Sequence, residues 1–183
     1  MRLFVRLSLI GLVALVAIGF ADNSFLRTDG TEASNKKVSA VKVSDGVCLK
    51  DGVSMTVDFG SKANSSPINQ CVSNFTLNSW DLISAAGLTV TGTQKYPVGF
   101  VCRINDFPAE DVESCLDTPN PKVGSWAYFV AGPDSDSWQY STWGASTHKP
   151  DCGSAEAWVF RYPEESIEAL PTTKPQTRVC SNK

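Results

Sequence analysis

Apolar and polar residues alternate strictly at the start of the central part of the chain. Val53, Met55, Val57 and Phe59 are apolar, and every residue between them is polar. Successive side chains of a β-strand point to opposite faces of its sheet, so this spacing is typical of a strand with one buried face. We therefore predict a strand over 53–59, followed by a loop over 60–70.

A change of period after this loop predicts the one helix of the domain. Leu77, Trp80 and Ile83 recur at helical spacing, with Thr76 before them and Gly87 after them. Threonine is a favoured N-cap residue, and glycine commonly follows the last helical turn. We expect the helix to run between these two residues, with its apolar stripe facing the core.

Short apolar runs bounded by turn residues predict the rest of a sheet. The clearest pair is separated by Gly-Pro-Asp-Ser-Asp-Ser at 132–137, which is a strong turn signal. One helix and about six strands are typical of an α+β fold with a mostly antiparallel sheet. The further predicted strands cover 88–91, 99–104, 126–131, 138–142 and 155–160.

The first 21 residues have the pattern of a secretory signal peptide. Arg2 and Arg6 precede an apolar run, and small residues surround Phe20 before the expected cleavage after Ala21. The alternative is an uncleaved single-pass anchor, although the apolar stretch is shorter than the roughly 20 residues that a bilayer span prefers. No other segment of the sequence is apolar enough to cross a membrane, so no span is expected after cleavage.

Composition divides the remaining chain into three parts. Residues 22–46 are mostly small and polar, which predicts a flexible spacer because such a segment buries too little apolar surface to become ordered. Residues 47–162 have the size of one ordinary domain. Residues 163–183 contain three prolines and predict an extended tail that Cys180 ties to the domain.

Net charge argues against nucleic acid as a partner. Loss of Arg2 and Arg6 with the signal peptide would change the formal net charge from −3 to −5. The chain also lacks a cluster of lysine and arginine residues. A mildly acidic surface of this kind is a poor partner for a phosphate backbone, so we expect no nucleic acid binding.

Six cysteines follow the signal peptide and predict three disulfide bonds, which suit a secreted or cell-surface location. A zinc site is the weaker alternative, because there is no Cys-x-x-Cys pair and only one histidine. Spacing does not determine connectivity. Cys102 and Cys115 are the best candidate pair, because only a short Pro-containing segment separates them. A bond between Cys48 and Cys180 would tie both ends of the domain to each other. The expected pairs are Cys102–Cys115, Cys48–Cys180 and Cys71–Cys152.

Several short motifs resemble a known family when they are taken in order. They are VDFG, the Thr76-capped helix ending in AAGLTVTG, FVCRIND followed by Pro108 and Cys115, a Trp-x-Tyr strand, SWQYSTWGA and GSAEAWVF. This order is similar to that of secreted, actinobacterial-type domains related to the C-terminal domain of transcobalamin and intrinsic factor. The resemblance covers about residues 53–160. It implies a β-grasp-like fold, in which a mixed sheet packs on one helix, and a corrinoid as a candidate ligand.

The chain departs from the vitamin carriers in three respects. It contains nothing that would form their large helical partner domain. Asn-Asp-Phe at 105–107 replaces the Asn/Asp-Gly turn of the bacterial domains, and Cys152 stands where they often have proline. Corrinoid binding therefore does not follow from the fold alone.

Aromatic residues are concentrated in the segment 124–145 and form the candidate ligand-binding site. Strand alternation suggests that four of them share one face of a hairpin, which is either packed core or an exposed aromatic platform. Trp143 follows the second strand and precedes a small-residue loop, which makes it the best single candidate for contact. The predicted ligand-binding residues are Trp126, Tyr128, Trp138, Tyr140 and Trp143.

Catalysis is a distant third interpretation. His148 is the only histidine, and Asp151 is the acid that would orient it, but no nucleophile motif such as Gly-x-Ser-x-Gly is present. Asp58 and Glu156 are the best candidate carboxylate pair for a secreted hydrolase, and both are expected on solvent faces of strands.

We therefore expect a secreted, non-enzymatic binding domain without a cofactor or metal. Its partner would be a small molecule, such as a corrinoid, held on the aromatic surface. The alternative is a cell-envelope interaction module that docks a protein or a glycan.

Overall fold

The computed structural model describes residues 40–181. The predicted signal peptide and most of the predicted spacer lie outside the described residues. One short helix and eight strands follow one another in the described part. They are β1 (Lys42–Asp45), β2 (Val53–Asp58), β3 (Ile68–Ser73), α1 (Ser79–Ala85), β4 (Val90–Gly92), β5 (Val101–Ile104), β6 (Ser125–Ala131), β7 (Gln139–Tyr140) and β8 (Ala155–Arg161).

Six of the strands form one mixed sheet, in the order β1-β3-β2-β8-β6-β7. β2 and β8 are parallel, and every other neighbouring pair in this sheet is antiparallel. β4 and β5 form a separate antiparallel pair. The chain therefore has an α+β fold with a mostly antiparallel sheet, and the predicted class is confirmed at this level.

Hydrophobic residues cover both faces of the sheet. On the helix side, Trp158 and Phe160 of β8 pack in one cluster with Leu82 of α1, which we call the helix-side core. On the other side, Ala157 and Val159 pack in a second cluster, which we call the opposite core. Because β8 is buried on both faces, most of its sequence is an unbroken apolar run instead of an alternating one.

The helix begins later than the sequence suggests. Asn78, not Thr76, is the N-cap, and its side chain accepts a hydrogen bond from the backbone N–H of Asp81. The shift leaves Leu77 outside the helix and exposed, so the predicted apolar stripe was wrong at this residue. Gly87 follows the C-cap at φ +79°, which confirms the predicted end of the helix.

Two strands were missed in the sequence. β1 lies inside the predicted spacer at 22–46, and β3 begins inside the predicted loop at 60–70. β3 carries the polar residues Asn69 and Gln70, so it lacks the apolar pattern of a strand. Pairing holds it in place instead: β3 lies between β1 and β2, and Thr56 Oγ1 donates to Asn69 Oδ1 at 2.8 Å.

All six cysteines form disulfide bonds, as predicted, but only one predicted pair is correct. The bond between Cys102 and Cys115 is confirmed. The other bonds join Cys48 to Cys71 and Cys152 to Cys180, so the predicted pairs Cys48–Cys180 and Cys71–Cys152 were wrong.

The missed strand explains the wrong pairs. Cys71 lies on β3, and the register places it opposite Ser54 of β2. Cys48 is in the connection between β1 and β2, where its N–H donates to Ser54 Oγ at 3.1 Å. The Cα atoms of Cys48 and Cys71 are therefore only 4.7 Å apart, and neither residue is free to reach the C-terminal part of the chain.

The tail packs against the domain without helix or strand in its described part, 163–181. The backbone N–H of Arg178 donates to Gly153 O at 2.8 Å, close to the Cys152–Cys180 bond. Trp138 Nε1 donates to Thr173 O at 2.7 Å, which places the tail next to the opposite core.

Among the described residues, no helix combines the length and the apolar character that a membrane crossing requires.

Candidate functional site

A cavity of about 320 Å³ lies beside β6 and the segment that follows β7. The described residues that line it are all uncharged. Six of them are aromatic and come from four separate parts of the chain, which the fold brings together. These six are Phe100, Trp126, Tyr128, Tyr140, Trp143 and Trp158.

Three buried aromatic rings belong to the wall of the cavity, and we call them the floor: Trp126, Tyr128 and Trp158. The rings of Tyr128 and Trp158 are stacked, with centroids 4.6 Å apart and planes 16° from parallel. Trp126 meets Phe160 edge to face at 5.4 Å. All three floor residues belong to the helix-side core, so packing fixes their orientation.

Three exposed aromatic rings form the rim: Phe100, Tyr140 and Trp143. Trp143 is 67% exposed, the largest exposure among these rings. Its backbone N–H donates to Ser141 Oγ at 3.3 Å, and the Ser141 hydroxyl donates to Trp143 O at 3.0 Å. Ser141 N–H in turn donates to Tyr128 O at 2.9 Å, so the rim segment is tied to β6.

The predicted common face of four aromatic residues was wrong. The register pairs Phe129 with Tyr140, and their rings are 5.6 Å apart. Trp138 and Tyr140 therefore both lie towards Phe129 of the opposite core, away from the face of Trp126, and Tyr140 reaches the cavity from the edge strand β7. Of the five predicted ligand-binding residues, the cavity brings together all except Trp138.

Two of the six aromatic cavity residues, Phe100 and Trp158, were not predicted as site residues. Phe100 just precedes β5, and Trp158 lies on β8 opposite Tyr128. Alternation along β8 places Trp158 on the same face as Phe160. That alternation was the available signal for Trp158, whereas the position of Phe100 depends on tertiary packing.

Two indole nitrogens of the floor are buried without a hydrogen-bond partner. Nε1 of Trp126 and Nε1 of Trp158 have almost no accessible surface, so neither is open to the cavity, and neither has a partner among the described residues. A buried donor without a partner costs about 1–3 kcal/mol, which the packing of the floor must offset.

A buried carboxyl group lies behind the floor. Glu156 is 1% exposed, and its Oε1 accepts hydrogen bonds from Ser79 Oγ at 2.6 Å and from the Tyr128 hydroxyl at 2.8 Å. Burial raises the pKa of Glu156 to about 7, against the opposing effect of these two hydrogen bonds. Burial next to this carboxyl group also raises the pKa of Tyr128.

His148 Nε2 lies 3.6 Å from Glu156 Oε1. Burial lowers the pKa of His148, and the nearby charge of Asp151 opposes that change only in part. Desolvation therefore favours the neutral form of His148 and keeps Glu156 mostly neutral at pH values below its pKa of about 7. The contact is then between two neutral groups instead of an ion pair.

The predicted carboxylate pair is not assembled. Glu156 was expected on a solvent face, but it is buried in the sheet because α1 and Tyr128 cover its side of β8. Asp58 pairs with Val159, which packs in the opposite core, whereas Glu156 pairs with Met55 of the helix-side core. The two carboxyl groups lie on opposite faces of the sheet and cannot flank one substrate.

These features define a disulfide-bonded α+β domain with an uncharged aromatic cavity. No protein-family model, no curated protein and no solved structure matches the chain. The resemblance to the transcobalamin C-terminal domain stays a prediction, and the chemistry of the cavity is the basis for a functional proposal.

Proposed function

We propose that this protein is a secreted or cell-surface binding domain that takes a small neutral ligand in its aromatic cavity and does not act as an enzyme. The observation that carries the proposal is the combination of uncharged walls, a buried aromatic floor and the exposed Trp143 at the rim. Aromatic walls with a few polar groups are typical of small-molecule sites. The three disulfide bonds suit an oxidising compartment.

The polar groups near the cavity are arranged for structure more than for reaction. The Tyr128 hydroxyl donates to Glu156, and Glu156 is buried behind the floor, so neither presents a free acid or base to a ligand. His148 contacts the same carboxyl group and does not line the cavity. This arrangement supports binding as the function of the cavity.

The volume of the cavity guides the choice of ligand. About 320 Å³ is at the lower end of the range for ligand sites, roughly 300–1,000 Å³. A corrinoid has a macrocycle and a nucleotide arm, so most of it would remain outside and contact only the rim. We propose a smaller ligand, and the β-grasp-like fold and corrinoid binding implied by the resemblance remain subjects for testing.

Titration of the purified domain tests this proposal. The intrinsic tryptophan fluorescence is followed while neutral small molecules, neutral glycans and cobalamins are added. A ligand of the cavity should change the fluorescence, and Trp143→Ala should weaken its binding at least about tenfold, as truncation of an exposed aromatic anchor does. Val179→Ala is the matched control, because Val179 is 71% exposed and lies outside the cavity. Equal loss in both variants, or no ligand of any class, would contradict the proposal.

A further inference from the structure

We infer, on the basis of the proposed function, that the ligand of the aromatic cavity is a neutral saccharide, bound with one sugar ring between the rim and the floor. Three properties of the cavity lead to this class of ligand: its exposed indole, the hydroxyl groups of its lining and its lack of charge.

The exposed indole provides a stacking surface. Trp143 is anchored through Ser141, whose hydroxyl accepts from the Trp143 N–H at 3.3 Å and donates to the Trp143 carbonyl at 3.0 Å. The backbone that carries the ring is therefore fixed before a ligand arrives, which lowers the entropy cost of binding. One face of a pyranose ring presents several C–H groups, which pack against the electron-rich face of an indole.

Hydroxyl groups in the lining match the edge of a sugar ring. Ser125 and Tyr140 line the cavity, and each carries a hydroxyl group that donates or accepts a hydrogen bond. An apolar side chain from a protein partner would cover these groups without pairing them and would bind at a penalty. A sugar ring carries hydroxyl and ring oxygens around its edge, which pair with such groups while its face remains stacked.

The uncharged lining excludes charged ligands. An anionic ligand, such as a phosphate ester or a uronic acid, would lose hydration without gaining a cation, because lysine, arginine and histidine are absent from the described lining. A cationic ligand would find no carboxylate there either. A neutral sugar needs no charged partner, because hydroxyl groups in the lining pair with its own hydroxyls.

The experiment uses the intact protein and two matched series of probes. Neutral gluco-, xylo-, manno- and N-acetylglucosamine oligosaccharides are compared with oligosaccharides of uronic acids on an array, and hits are measured by calorimetry. We expect binding within the neutral series and at least about tenfold weaker binding of the uronic acid counterparts. Trp143→Ala should weaken the saccharide at least about tenfold.

The Ser125→Ala variant tests a hydroxyl group of the lining. We expect it to weaken the saccharide roughly three- to tenfold, as the loss of one hydrogen bond does. Ser65→Ala is the matched control, because Ser65 is exposed and lies outside the cavity. Circular dichroism identifies any variant that fails to fold, and Trp143→Ala then remains as the test at the exposed rim.

The results separate this inference from the function on which it rests. If no neutral saccharide binds but another small neutral ligand does, with a loss in Trp143→Ala, the inference is wrong and the proposed function stands. If no ligand of any class binds, both are wrong. Saccharide binding that is unchanged in Trp143→Ala would place the sugar elsewhere and also overturn the inference.

Discussion

Replacement of Glu156 by glutamine should remove a pH dependence from the stability of this domain. Burial raises the pKa of the folded carboxyl group to about 7 from its ordinary value of 4.5. Between these two pH values the unfolded chain releases a proton that the folded chain keeps. Stability contributed by Glu156 is therefore complete below about pH 4.5, is lost progressively as the pH rises to about 7, and stays lost above it.

The pKa difference sets the size of the effect. Each unit is worth about 1.4 kcal/mol, so the free energy of unfolding should fall by about 3 kcal/mol across this range. Glutamine keeps the oxygen that accepts from Ser79 and Tyr128, and its amide nitrogen replaces Oε2, which lacks a partner among the described residues. The variant should therefore match the parent near pH 4 and exceed it by about 3 kcal/mol near pH 8.

Thermal and chemical unfolding of both proteins from pH 4 to pH 8 measures this difference. For a domain of this size, about 3 kcal/mol corresponds to a melting temperature roughly 6–12 °C higher at pH 8. The difference between variant and parent cancels the titration of all groups that do not contact Glu156. Glu110→Gln is the control for replacing a carboxyl group by an amide at an exposed position.

Destabilisation of the Glu156→Gln variant at neutral pH would have an equally clear physical meaning. If Glu156 is ionised and paired with protonated His148 across their 3.6 Å contact, removal of its charge would destabilise the domain at neutral pH. A Glu156→Gln variant that is less stable than the parent at pH 7 to 8 would refute the raised pKa of Glu156 and the neutral contact inferred from it.

Two further predictions concern the rim and the tail. Trp143→Ala should lower the free energy of unfolding by less than about 1 kcal/mol, because the ring is 67% exposed. Tyr140→Ala should lower it by about 1–2 kcal/mol, because Tyr140 is 36% exposed but packs on Phe129. Chemical denaturation that reverses this order would contradict the placement of the two rings. Non-reducing peptide mapping should recover a peptide that joins Cys152 to Cys180, and replacement of both by serine should cost about 3–4 kcal/mol for a separation of 28 residues. Recovery of Cys180 with any other cysteine would show the tail to be wrongly placed.

The sequence predicted those elements whose side-chain pattern reflects burial. The alternation over 53–59 marks β2, and the turn residues at 132–137 mark the connection between β6 and β7. β3 could not be found in the same way, because its polar residues are held by pairing on both sides. Since Cys71 lies on β3, the missed strand also led to two wrong disulfide pairs.

Register limited the prediction of the site. Trp126 and Tyr128 share a face, as alternation requires, but the face of Trp138 depends on which residue of β6 pairs with Tyr140. The observed partner of Tyr140 is Phe129. A change of register by one residue moves every side chain of a strand to the other face. The connection between the two strands is too long for its residues to fix that register.

The sequence leaves two interpretations of the aromatic residues, packed core and binding surface, and the fold shows why these alternatives are not exclusive. Trp126, Tyr128 and Trp158 belong to the helix-side core and also line the cavity, so truncation of any of them removes buried packing together with a wall of the cavity. A loss of binding in such variants would not distinguish a misfolded domain from a damaged site. Trp143 contributes an exposed ring and little packing. It is therefore the position where binding is best measured separately from stability.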